Sequence, residues 1–351
     1  MSLRILITSY VVACAICCRG ESHARDIGLV LSGGGAKGAY EVGVWTALCE
    51  SGLDKRVCCI SGTSVGSINA VLFASVSNPS LCERFWLEVV PYFCKPDEKY
   101  GLGTALGIKD GEDIAAIKAR LLEEKAKRFG LKVSDLSAED DEEALSKAVQ
   151  EWKRKASVRS LEAAAESIKS FGSTNDVLRG FADGQNFRRL LYERIPDKWG
   201  LDCVGVYATA VEKGIWEKRV FRLDNQPKER VLDVLIASCG IPYLFDSQKI
   251  DGKLYVDGGL RDNVPINPIL ENYSEVKTVI VVYLDAKPDA RRRVRSAAEN
   301  NGVCLLEIIP SDDIGGLTGV FDNRPETARR LIGLGREDAR MELVKAGLVG
   351  K

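Results

Sequence analysis

Two apolar runs near the start of the chain both break off at glycine, and this pattern limits the fold more than any other feature. Ile27-Gly28-Leu29-Val30-Leu31 ends at Ser32 and three glycines, and a helix-like stretch follows from about Lys37 to Cys49. Val57-Cys58-Cys59-Ile60 ends at a second glycine turn, and an apolar helix-like stretch runs from Ser67 to about Ser75. Short runs without polar alternation are strands buried on both faces. Strand, helix, strand, helix joined by tight turns builds a parallel sheet, so the class expected is α/β.

Later strand-like runs fall at 204–211, 219–223, 253–256 and 276–284, with a helix-like stretch at about 229–238 and one or two helices in 325–349. Between them, about 97–185 reads differently. This block is rich in Glu, Lys, Arg and Ala, and Ile114, Ile117 and Leu121 share one helical face. The simplest organisation is one domain over 27–290 with a helical insertion at about 97–185, and a C-terminal strand and helices in 291–351 packing on it. Basic residues of the insertion (Lys125, Lys127, Arg128, Lys153, Arg154, Lys155) would suit a lid meeting anionic head groups. Equally plentiful acids leave a merely solvated helical face as the other reading.

Composition removes several function classes. With 49 basic and 50 acidic residues the net charge is -1, without the basic excess that nucleic acid would favour. There is one histidine, His23. It precedes the first strand and so belongs at the edge opposite the glycine turns. Histidine-based catalysis and histidine-rich metal sites are therefore disfavoured. The 11 cysteines include no metal-type CxxC pair in the body of the chain. Cys58 and Cys59 are neighbours in a strand, should face opposite sides and should not pair.

Residues 1–22 read as a leader. Arg4 precedes an apolar stretch from Ile5 to Cys18, too short for a ~30 Å hydrocarbon core but right for a signal segment. Val11-Val12-Ala13-Cys14 resembles a bacterial lipobox. The expectation is the cell envelope or secretion; a cytoplasmic chain with an apolar start is the alternative.

Three motifs carry the chemistry. Gly33-Gly34-Gly35-Ala36-Lys37-Gly38 fits a dinucleotide loop, an oxyanion hole or a plain turn. The first needs an acid after the second strand, and none stands there. The second uses N–H groups that no side chain shields, backed by the positive end of a helix. Gly62-Thr63-Ser64-Val65-Gly66 is G-x-S-x-G between strand and helix. There a serine on a strained turn needs flanking residues without bulk, and the N–H of Val65 is placed for an oxyanion. A capping serine is the plainer reading. A serine hydroxyl needs a base. Asp257, before Gly258 and Gly259 at the end of a strand-like run, is a candidate, as is Lys37; a turn aspartate is the alternative.

Together these residues resemble the patatin-like phospholipase family, which combines a G-G-G-x-[KR]-G loop, a G-x-S-x-G elbow and a D-G-[GA] motif. Ala237-Ser238-Cys239-Gly240-Ile241-Pro242 is similar to the segment that precedes the family's aspartate, with Gly240 where alanine is usual, and Asn263 and Pro265 match its N-x-P. Arg329–Gly335 is similar to the helical tail of bacterial members. The resemblance implies a three-layer α/β/α sandwich with a mainly parallel central sheet. It implies a serine lipid acyl hydrolase of phospholipase A, lysophospholipase or esterase type. Ser64 would be the nucleophile and Asp257 the proton acceptor. Gly33, Gly34, Gly35 and Val65 would form the oxyanion hole, supported by Lys37, Gly38, Gly62, Gly66, Gly258 and Gly259. The implied partners are a lipid ester and a membrane surface, without metal, organic cofactor or nucleotide. A catalytically silent lipid-binding module on the same fold is the rival.

Overall fold

The structure is a computed structural model. It describes residues 25–76, 78–89, 188–189, 191–193, 195, 204–241, 247–315, 318–322 and 324–350. These all belong to one unit, formed by residues up to 95 and from 182 onward. The leader with His23 and Cys14, and the block 97–185, lie outside the described residues.

The first half supplies β1 (Ile27–Leu31), α1 (Ala39–Glu50), β2 (Val57–Thr63), α2 (Val65–Ser75) and α3 (Pro79–Val89). There follow β3 (Gly205–Glu212), β4 (Glu217–Arg222), α4 (Lys228–Ser238), β5 (Gln248–Ile250), β6 (Lys253–Asp257) and α5 (Asn267–Asn272). The chain continues through β7 (Thr278–Val282), α6 (Pro288–Asn300), β8 (Cys304–Ile308) and α7 (Pro325–Lys345). The tail is thus a single helix, and the three-residue β5 has no counterpart among the strands expected from sequence. Proline opens both α6 and α7, where its fixed φ suits the first turn and its missing N–H costs nothing.

All the strands join one sheet in the order β5-β6-β3-β2-β1-β7-β8, with β4 also on β3. The pairs among β3, β2, β1, β7 and β8 are parallel, and β4, β5 and β6 pair antiparallel. Alternation divides the side chains between two cores. Ile27, Leu29, Leu31, Ile280 and Val282 face one, with residues of α1, α2, α3, α4 and α7. Val30, Val279 and Val281 face the other, with residues of α5 and α6. That is the three-layer α/β/α sandwich with a mainly parallel sheet expected from sequence. The carboxyl end of β1 lies between β2, reached early, and β7, reached late. Crevices of open sheets form at such a switch point.

α1 and α7 touch through glycine. A Cβ on Gly43 would lie 2.0 Å from the Ile332 carbonyl, and one on Gly335 would lie 2.0 Å from the Tyr40 carbonyl. Tyr40 Oη also donates to Asp338 Oδ2 at 2.8 Å.

One expectation is corrected. Ile27 pairs with Val57 but Gly28 pairs with Cys59, so Cys58 is an extra residue on β2. A bulge of this kind breaks the in-out alternation. Both thiols therefore reach the same core, with their sulfurs 3.6 Å apart, hydrogen-bonded and without a disulfide.

Candidate active site

β3 positions the site. It has three partner strands, so two must share an edge. β4 runs along 207–212, leaving the opposite edge to β2 at 205–209 and to β6 at 210–212. Thr63, the last residue of β2, sits opposite Thr209, and Asp257, the last residue of β6, sits opposite Ala210. Two strands running in opposite directions thus end against each other, and the residue that leaves β2 at this seam is Ser64.

Ser64 has φ 54 and ψ -128 and caps α2, a conformation that costs a non-glycine residue on the order of 1–3 kcal/mol. Hydrogen bonds hold it there. Its N–H donates to Ser238 Oγ at 2.9 Å, and that hydroxyl donates to Thr209 O at 2.7 Å. Its carbonyl accepts from the N–H of Ser67 at 2.9 Å and from Ser67 Oγ at 2.6 Å. The flanking glycines are required by contact. A Cβ on Gly62 would lie 2.2 Å from Gly66 O, and one on Gly66 would lie 2.5 Å from Leu31 O.

Asp257 is buried, and Oδ1 accepts from the N–H of Gly259 at 2.7 Å. Burial pushes its pKa up to about 6, although the Gly259 N–H and the nearby Ser64 hydroxyl pull it down. Gly258 is needed where it stands, since a Cβ would meet Thr209 O at 2.2 Å. Past it, Thr63 Oγ1 donates to Asp262 O at 2.8 Å, and Lys218 Nζ donates to Asp262 Oδ2 at 2.9 Å. These bonds moor the aspartate's turn to β2 and β4.

The glycine loop lies against Ser64. A Cβ on Gly33 would be 3.1 Å from Ser64 Cβ. The N–H of Gly33 donates to Asn263 O at 3.2 Å, and Asn263 Nδ2 donates to Gly33 O at 3.1 Å. Of the four N–H groups expected to form an oxyanion hole, that of Gly33 is therefore already engaged. Those of Gly34, Gly35 and Val65 have no acceptor among the described residues. Gly35 has φ +59, and a Cβ there would strike Val320 O. A Cβ on Gly38 would reach Val65 and Trp86. Lys37 is buried and donates to Leu284 O at 3.0 Å; burial, the largest influence, pushes its pKa down. Its ammonium ties the loop to the chain beyond β7.

A sequence model described as patatin-like phospholipase matches residues 29–270, more than half of the chain. The chain belongs to the patatin-like phospholipase family. Its likeness to individual relatives is short or remote. It is 50% identical over 50 residues to "Lysophospholipase nte1" of Aspergillus terreus, which is 14% of this chain and 3% of that protein. The protein of the same name from Aspergillus niger is 52% identical over 50 residues, again 3% of its length. Among solved structures, VipD from Legionella pneumophila is similar at 17% identity and a TM-score of 0.41, with 92% of this chain and 68% of that one covered. Human GIVD cytosolic phospholipase A2 is similar at 13% identity and a TM-score of 0.46, with 99% and 61% covered.

Among the described residues, the glycine loop, the G-x-S-x-G turn and the Asp257 turn come together around Ser64, with Lys37 one step away. Sequence reasoning gave no role to Ser238, whose hydroxyl holds the Ser64 backbone, although it sits within the family-like segment before the aspartate. It also passed over Glu41 and Asn69.

Proposed function

We propose that this chain is a serine lipid acyl hydrolase working through a Ser64–Asp257 dyad. Ser64 Oγ attacks the ester carbonyl carbon while its proton passes to the Asp257 carboxylate. The carbonyl oxygen becomes an oxyanion, held by the N–H groups of Gly34, Gly35 and Val65 at the positive end of α2. As the intermediate collapses, the carbon–oxygen bond to the alcohol breaks, and Asp257 returns the proton to the leaving oxygen. An acyl group is left on Ser64. Water, deprotonated by Asp257, then releases the fatty acid and regenerates the hydroxyl.

The observation that carries this reading is a strained Ser64 that leaves β2 at the same seam where β6 ends in the buried Asp257 carboxyl. A base with a pKa of about 6 is ionised near neutrality yet basic enough to take a proton in the transition state. The proposed substrate is a lipid or phospholipid ester met at a membrane surface. The proposed location, which rests on reading 1–22 as a leader, is the cell envelope or secretion, with a cytoplasmic chain as the alternative.

The test is mass spectrometry of lipid extracts incubated with wild-type and Ser64→Ala protein. Free fatty acid and a matching lysolipid should appear only with the wild type. Equal release by both would remove Ser64 from the reaction.

A further inference from the structure

Asn69 of α2 is fully buried and joins three helices through one amide. Nδ2 donates to Gly38 O at 3.0 Å and to Glu41 Oε2 at 2.8 Å, and Oδ1 accepts from Trp86 Nε1 at 2.7 Å. Gly38 closes the glycine loop and caps α1, Glu41 lies in the first turn of α1, and Trp86 lies on α3. α2 is also the helix that Ser64 caps and Val65 opens. A single planar amide therefore fixes the loop that offers Gly34 and Gly35 against the helix end that offers Val65 and the nucleophile.

Glu41 is the unusual member. It is fully buried, and no cationic side chain pairs with it among the described residues. Oε1 has no hydrogen-bond partner, whereas Oε2 accepts from Asn69. The Ser32 N–H, just before the glycine loop, donates to Val282 O at 3.3 Å and only weakly favours the charged carboxyl. An ionised carboxylate in such a place would be an unpaired buried charge, and a group so placed takes up a proton instead. Burial pushes its pKa well above the ordinary value. The proton belongs on Oε1, which leaves Oε2 free to accept.

We propose that Asn69 and a protonated Glu41 are positioning residues that set the glycine loop against Ser64, so that the oxyanion donors are in place before substrate arrives. The proposal rests on the hydrolase reading given above. It assigns Glu41 the part of an uncharged acceptor, which an amide can fill equally well.

Glu41→Gln keeps that acceptor and places an NH2 where the carboxyl OH stood. Its kcat and KM on a soluble nitrophenyl ester should stay within about threefold of wild type. At pH 8, where Asp257 is ionised, the wild type should show an infrared band of a protonated buried carboxyl that Glu41→Gln lacks. Asn69→Asp keeps the acceptor for Trp86 but loses both donors. It should lower kcat at least ~30-fold while KM changes less than about threefold, since ångström-scale misplacement acts on the transition state. If that variant does not fold, Trp86→Phe, which frees the amide to turn, should give a smaller loss confined to kcat. A missing infrared band, or a Glu41→Gln loss as large as that of Asn69→Asp, would overturn the neutral acid. Wild-type kcat in Asn69→Asp, or in a folded Trp86→Phe when Asn69→Asp fails, would overturn the positioning role. A wild type with no esterase activity would instead overturn the hydrolase reading, and the infrared band would still report on Glu41.

Discussion

Ser64 and Asp257 meet at a seam where two strands share one edge of a third. Thr63 opposite Thr209 and Asp257 opposite Ala210 take consecutive places on β3. Their separation is set by the register of a ladder rather than by a flexible loop. Groups mounted on such elements hold their geometry better than groups on loops.

Both members of the pair should be indispensable. Ser64→Ala and Asp257→Asn should each reduce soluble-ester hydrolysis by at least ~10³-fold, because groups acting as one unit fail together. Circular dichroism should show both variants folded. A folded Asp257→Asn protein with substantial activity would hand the proton to another base.

The rate should carry the signature of Asp257. Its carboxyl must be ionised to act as base, and its pKa stands at about 6. kcat/KM should therefore rise through a limb near pH 6 and level off above it. A limb near pH 4, typical of an exposed carboxylate, would show that the free enzyme does not bury this group.

The same shift acts on stability, with the opposite consequence for folding. Asp257 binds its proton more tightly folded, at about 6, than at its ordinary 3.8. Its contribution is therefore fully present below the lower value and is lost as pH rises through the upper one. At pH 8 the ionised group costs about 3 kcal/mol. Asp257→Asn should thus melt higher than wild type at pH 8, with a gain that shrinks as pH falls below 6. An equal gain at all pH values would assign the effect to packing.

Two glycines of α7 should respond in opposite directions. At Gly333 a Cβ would meet nothing within 4 Å, whereas at Gly335 it would meet the Tyr40 backbone at 2.0 Å. Gly333→Ala should stabilise by about 0.5–1 kcal/mol through helix propensity. Gly335→Ala should destabilise by about 1–3 kcal/mol by forcing α1 and α7 apart. Urea midpoints measure both, and matching signs would contradict the close crossing.

What could be read from sequence was whatever depends on neighbours along the chain. The Ser64 turn and the glycine loop each sit between a strand and a helix, and local spacing reveals them. Asp257 was one candidate base from its place at the end of a strand-like run, but only the resemblance to a family motif favoured it, because nothing within a few residues tells a buried carboxyl from a turn aspartate. Ser238, Glu41 and Asn69 act across 174, 28 and 31 residues, and a buried polar partner at that range leaves no periodic trace. The Cys58 bulge escaped for a related reason. An extra residue is defined only against the partner strand, so the alternation rule placed its thiol on the wrong face.

The placement of β7 bears on the order in which the site can mature during synthesis. The family match ends at 270, and by then the growing chain holds every group assigned to the reaction. Yet β7, which pairs with β1, has not been made. Neither have Leu284, which packs on Gly34 and anchors Lys37, or Val320, which packs on Gly35. A nascent chain at that point carries the nucleophile on a half-open sheet, with its glycine loop bare on one side. None of the groups proposed for the reaction follows residue 270, but hydrolysis should begin only once β7, Leu284 and Val320 have left the ribosome and closed over β1 and the glycine loop.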